Sequence, residues 1–174
     1  MLNNCYSFRS QWRVEATPEE AFHIVGDWSA MPQWWPACVV RADVLHPGDA
    51  NGVGSVFDMH TRGWLPYVIR SQMETVEKQF PHTIRTRAGG ELRGEGMWRF
   101  LADGSFVNIE VEMKLVAEKP IIKYLSFALW PLFAGNHYWS MRLGEQSLRL
   151  EVARRRARSE EERRLIPASP SRWD

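Results

Sequence analysis

IIKYLSFALWPLFAGNHYWSMRLGEQSLRLEVARRR, residues 121–156, is the longest segment of the chain whose centre carries no Gly-Pro turn signal. Pro120 precedes it, and proline suits the first turn of a helix, where a missing N–H costs little. Within the segment Leu125, Ala128, Leu129, Leu132, Phe133, Asn136, Ser140, Leu143, Gly144 and Ser147 recur at three- and four-residue steps. That spacing gathers them on one face of a single long helix, roughly 50 Å from end to end. Pro131 is expected to kink the helix or to end a first short one. The face changes character along its length, apolar from Leu129 to Phe133 and mixed from Asn136 to Ser147. Small residues at Ser140, Gly144 and Ser147 suit a helix that lies close against a sheet. The polar ones also suit a helix that lines a cavity. The apolar run Phe127 to Phe133 is too short to span a bilayer and reads as buried core.

The chain before this helix reads as strands. Ser105 to Val116 alternates apolar Val107, Ile109, Val111, Met113 and Leu115 with polar Asn108, Glu110, Glu112 and Lys114. Such a strand has one dry and one wet face. Ala102-Asp-Gly104 joins it to a strand from Glu91 to Leu101 with an Asp-Gly hairpin signal. Further strands are predicted at His82–Ala88, Tyr67–Lys78, Ser55–Arg62 and Cys38–Leu45, and the chain opens with another from Tyr6 to Ala16. Thr17-Pro-Glu-Glu20 supplies an N-cap, a proline at the first helical position and acids in the first turn. A helix to Val25 and a second short one over Trp28–Trp35 follow. Consecutive strands joined by short turns form an antiparallel sheet, and segregated strands and helices make the fold α+β. A curved sheet of about seven strands wrapped around the long helix would bury both apolar faces. Gly94 and Gly96 fit such bending, because glycine inside a strand marks a bend or a close backbone approach. Residues 1–156 form one predicted domain, and 157–174 a charged extension ending in a flexible tail.

Composition narrows the function classes. The chain has 174 residues, 44% hydrophobic and 25% charged, with a net charge of +1. Neither the charge nor any motif calls for a nucleic-acid partner. The N-terminus lacks an apolar leader, and no segment is long enough for stable membrane insertion, so a cytoplasmic location is expected. Cys5 and Cys38 form neither a CxxC motif nor a disulfide framework. The five histidines, at 23, 46, 60, 82 and 137, lack metal-ligand spacing, so neither metal nor other cofactor is expected. There are nine tryptophans. A surplus of that kind suits a large apolar pocket.

Several strings, in order, resemble one family: Trp12-Arg-Val-Glu-Ala-Thr-Pro-Glu-Glu-Ala-Phe22, Trp34-Trp-Pro36, Gly52-Val-Gly54, Gly63-Trp-Leu-Pro-Tyr67, Gly90-Glu-Leu-Arg-Gly-Glu-Gly-Met-Trp98 and Asn136-His-Tyr-Trp-Ser-Met141. The sequence resembles the START-like, helix-grip (Bet v 1-like) superfamily, and within it the bacterial polyketide cyclase/dehydrase and lipid-transport group (SRPBCC). The resemblance covers residues 5 to 153. It implies a helix-grip fold with a hydrophobic cavity between sheet and long helix. It does not imply one reaction, since this fold carries binders, transfer proteins and enzymes alike.

Residues predicted to reach that cavity are Trp35, Phe57, Met59, Tyr67, Ile69, Trp98, Ile109, Phe133, Asn136, His137 and Ser140. His60 and Arg87 are possible polar members, although alternation leaves open whether each faces solvent. The leading expectation is a protein that binds or carries a hydrophobic small molecule, lipid or polyketide-like. The alternative is a cyclase or dehydratase using polar groups in the same cavity. His137 is then the candidate acid–base residue, because imidazole titrates near neutrality, and Tyr67 a candidate to polarise a carbonyl.

Overall fold

A computed structural model describes residues 5–117 and 120–171, with side chains described over 7–116 and 131–171. Strand β1 (Cys5–Val14) is followed by helix α1 (Pro18–Val25) and by a turn of 3₁₀ helix (Trp28–Ala30) that runs into α2 (Met31–Trp34). Six strands follow: β2 (Val39–His46), β3 (Val56–Arg62), β4 (Val68–Gln79), β5 (Thr83–Gly90), β6 (Leu92–Asp103) and β7 (Phe106–Ala117). The long helix α3 (Pro120–Arg156) and a short α4 (Glu160–Leu165) complete the chain. The strands form one sheet in the order β1-β7-β6-β5-β4-β3-β2. Every neighbouring pair is antiparallel, as hairpin-joined strands must be. This is the expected α+β helix-grip arrangement.

Local chemistry sets the elements. Thr17 and Glu20 close a capping box at the start of α1, with Pro18 inside its first turn. Asp27 accepts the Ala30 N–H and caps the 3₁₀ turn. On β7, Val107, Ile109 and Val111 are buried, while Glu110 and Glu112 share the Arg99 guanidinium on the opposite face. The glycines of β6 serve close approach. A Cβ on Gly94 would lie 2.0 Å from the Lys114 carbonyl oxygen, and one on Gly96 would lie 2.7 Å from Thr86 Oγ1.

The two ends of the sheet differ. At one end α1, the β4–β5 and β6–β7 turns and the last turns of α3 pack together. There Phe22 meets Phe80 and Phe100 with ring centroids 5.3 and 5.4 Å apart. Glu20 accepts two hydrogen bonds from Arg156, at 2.8 and 2.7 Å, and so pins the end of α3 to α1. Midway, Trp12 meets Trp35 and Trp98 edge-on. Gly144 lets α3 settle there, since a Cβ at that position would lie 2.6 Å from Trp35 Cζ2 and 2.7 Å from Trp12 Cζ2. Ser147, Leu148 and Val152 continue the buried face. At the other end stand the β3–β4 and β5–β6 turns, the end of β7 and the start of β1.

Helix α3 continues through Pro131. Of the two outcomes expected there, an end to the helix does not occur. Proline removes one backbone donor, and a helix extended on both sides can absorb that loss. The side chains of 127–130 lie outside the described residues. After α3, Ser159 caps α4, and Arg154 donates to the Pro167 carbonyl (2.6 Å) and to Ser169 Oγ (3.1 Å). Among the described residues no helix is long and apolar enough to cross a membrane.

Candidate ligand cavity

Sheet and α3 both line an open space towards the end that carries the β3–β4 and β5–β6 turns. The space between them is a cavity of about 490 Å³. Its inner wall is Trp28, Met31, Trp35, Met59 and Trp98, all buried. Met73, Met113, Leu115 and Ile69 extend it along the sheet, and Phe133, His137, Ser140 and Met141 form its roof on α3. Tyr67 and Val68, both well exposed, stand at its outer edge. Methionine and tryptophan dominate this wall, and methionine adapts its shape to irregular apolar surfaces. A second depression of about 470 Å³, at the end of α1 beside Lys78 and Arg155, is lined mainly by charged and polar groups instead.

Of the eleven residues expected at the cavity, Trp35, Met59, Tyr67, Ile69, Trp98, Phe133, Asn136, His137 and Ser140 line it. Phe57 and Ile109 do not; both are buried in the packed core. They have the inward phase of the alternation, but they sit further along β3 and β7, where the other side chains of the core fill the gap. His60 and Arg87 point elsewhere: His60 lies 3.4 Å from Asp58, and Arg87 donates to Glu74 on the outer face. Among the lining residues the sequence reading did not name are Phe8, Trp28, Met31, Cys38, Arg62, Met73, Met113, Leu115 and Met141. Arg62 breaks the alternation at the end of β3, immediately before Gly63, where the chain leaves the sheet plane.

Each polar group at the roof is held by geometry. Asn136 Oδ1 accepts the Leu65 N–H at 3.2 Å, and a Cβ on Gly63 would lie 2.0 Å from that oxygen. The loop 63–67 therefore rests on the Asn136 amide. His137 stacks on Phe8 with ring centroids 4.3 Å apart, and its Nε2 lies 3.4 Å from Ser10 Oγ. Burial pushes its pKa down to about 4, so the ring is neutral at neutral pH. The Cys38 thiol and the Ser140 hydroxyl are hydrogen-bonded to each other, and burial pushes the thiol up to about 11. Such a thiol carries almost no thiolate at pH 7 and is a poor nucleophile. Burial also raises the Tyr67 phenol above its ordinary value. Among the described residues no group of three or more His, Cys, Asp or Glu could hold a metal ion.

Comparison with known families gives the fold its place. The family model described as polyketide cyclase / dehydrase and lipid transport matches residues 6–126. The chain belongs to this family. Its fold is shared with a protein from Thermus thermophilus, TTHA0849, at a TM-score of 0.71 and 17% identity, over 87% of this chain and 100% of that one. It is shared also with the Zhui aromatase/cyclase from Streptomyces sp. R1128, at a TM-score of 0.69 and 12% identity, over 90% and 98% of the two chains. A START superfamily protein from Mycobacterium smegmatis aligns at 0.58 and 14% identity, over 78% and 97%. At these identities the likeness is one of fold. No protein with a curated description matches the sequence.

Proposed function

We propose that this member of the family binds and carries a hydrophobic small molecule, lipid or polyketide-like, in the cavity between the sheet and α3. One observation carries the reading: a cavity of about 490 Å³ walled by Met, Trp and aliphatic side chains. Small-molecule sites have volumes of roughly 300–1,000 Å³ and are lined mainly by apolar and aromatic groups. In this reading Trp35, Met59, Ile69, Trp98 and Phe133 form the apolar contacts, and Tyr67, Asn136, His137 and Ser140 frame the outer half. The test is native mass spectrometry on protein purified without detergent, with identification of extracted compounds, beside titration with the neutral dye Nile red. Ala88 lines the cavity from β5, and Ala88→Phe would place a ring inside it. Dye affinity should fall at least about tenfold in that variant, with the fold kept. Unchanged affinity refutes the proposed location.

A second reading, a cyclase or dehydratase, draws support from His137 and Tyr67 lining one cavity. A histidine with a pKa of about 4 is a weak base at neutral pH. Its pH–rate profile would rise through about pH 4 and stay flat to neutrality. The carrier reading therefore fits the electrostatics of the roof better.

A further inference from the structure

The cavity wall is mainly apolar, with polar groups towards its outer half, and one corner of it holds a cation. Arg62 lines the cavity at the end of β3, between the Trp35–Pro36 turn and the Ser140 side of α3. Its Nη2 donates to the Pro36 carbonyl at 3.3 Å, and its Nε is buried without a hydrogen-bond partner. Its backbone N–H donates to the Cys38 carbonyl at 2.8 Å, which fixes where the side chain starts. No carboxylate among the described residues lies within ion-pair distance of it. The two acids of the wall are placed elsewhere: Glu91 accepts the Arg70 backbone N–H at 3.0 Å, and Glu95 is exposed on β6.

A guanidinium beside apolar surface with a donor left unused is costly unless an acceptor arrives. Four other arginines of the sheet show the contrast. Arg13, Arg85, Arg87 and Arg99 each pair with a carboxylate on the outer face. Arg62 instead faces the cavity. We infer that the ligand is an amphiphilic acid whose carboxylate is received by Arg62, with its apolar part running inward along Met59, Met73 and Trp98. This inference rests on the carrier reading of the cavity and adds the ligand's charge and direction. A carboxylate suits the site better than a phosphate, because one guanidinium balances one negative charge. A phosphate monoester would leave the better part of a second charge against the apolar wall.

The test uses three ligands of one chain length: decanoate, 1-decanol and methyl decanoate. Each displaces Nile red from the full chain, from Arg62→Gln and from Arg62→Lys, with thermal melts to show that the variants fold. In the unaltered protein decanoate should bind at least about tenfold more tightly than either neutral ligand, the range for a hydrogen bond to a charged group. In Arg62→Gln that preference should vanish, decanoate falling to the level of the neutral ligands. In Arg62→Lys part of it should return. If all three ligands bind equally in the unaltered protein, the inference fails and the carrier reading survives. A preference retained in Arg62→Gln overturns the role of Arg62. If no ligand displaces the dye, or the dye itself does not bind, the cavity reading fails and this inference with it.

Discussion

Replacing Gly63 and Asn136 by alanine, singly and together, tests how the outer end of the cavity is built. The three atoms nearest a Cβ on Gly63 all belong to the Asn136 side chain, the closest being Oδ1 at 2.0 Å. No backbone atom is among them. Gly63→Ala must therefore push the Asn136 amide aside, and with it goes the hydrogen bond to the Leu65 N–H. Leu65 is buried, so an orphaned donor there costs about 1–2 kcal/mol. Asn136→Ala removes the same acceptor and costs about the same. In the double variant the alanine at 63 occupies the space the amide has left.

The double variant should thus be no less stable than Asn136→Ala alone. If the two sites were independent, the losses would sum to about 2–4 kcal/mol. The expected coupling is therefore about 1–2 kcal/mol in the protective direction. Urea denaturation followed by tryptophan fluorescence measures it. Additivity to within about 0.5 kcal/mol would refute the contact between loop and helix. The same variants bear on function. A loop 63–67 freed from α3 should release Nile red faster in both single variants, since Tyr67 stands on that loop at the cavity's outer edge.

Three further outcomes follow from the packing and the charges. Gly144→Ala drives a methyl against Trp35 and Trp12 and should cost about 1–3 kcal/mol in denaturant titration. His137 is buried neutral with a pKa near 4, against an ordinary 6.5. Below 6.5 the unfolded chain takes up a proton that the folded chain refuses, so stability falls as pH drops from about 6.5 to about 4, by up to about 3 kcal/mol. His137→Gln should lose that part of the acid slope, compared in urea at neutral pH and at about pH 4.5. Hydrogen bonding from Arg156 holds the Glu20 carboxyl below the usual range, so the stability it adds is present above that range and is lost as pH falls through the lowered value. Both side chains are partly exposed, so Glu20→Gln should cost only about 0.5–1 kcal/mol and less in high salt, read from melts at two ionic strengths.

Period-two alternation in the strands and period-three-to-four spacing in α3 are strong signals because each strand and helix has one face to bury. Those signals placed seven strands, two short helices and a long helix in the correct order. They also named part of the cavity wall, since Met59, Ile69 and Trp98 have the inward phase. Alternation says which face a residue is on, but not how far along the sheet the space is filled. Phe57 and Ile109 share the phase of the wall and belong to the core for that reason. Arg62 failed the other way. It has the wrong phase, and it reaches the cavity only because β3 ends there and the chain turns at Gly63. Asn136 was seen as a polar member of the helix face, but its hold on Leu65 needs the loop's path, which no periodicity encodes.

Helix α3 divides into two working lengths, and the division explains why such a domain keeps a cavity. From Gly144 to Val152 its small and aliphatic residues let it press on Trp12 and Trp35, and Arg156 pins its end to Glu20. This half packs with α1 in the main core, through Leu148 and Val152. The half from Phe133 to Met141 borders the cavity, with Asn136 holding the loop, His137 stacked on Phe8 and Ser140 bonded to Cys38. Burial in one half can hold the other half away from the sheet, because a helix is stiff over this length. Large-to-small changes near Leu148 should then lower stability with little change in ligand affinity. Changes at Phe133 should alter affinity more than stability, since that side chain is only partly buried at the cavity and leaves less packing to lose.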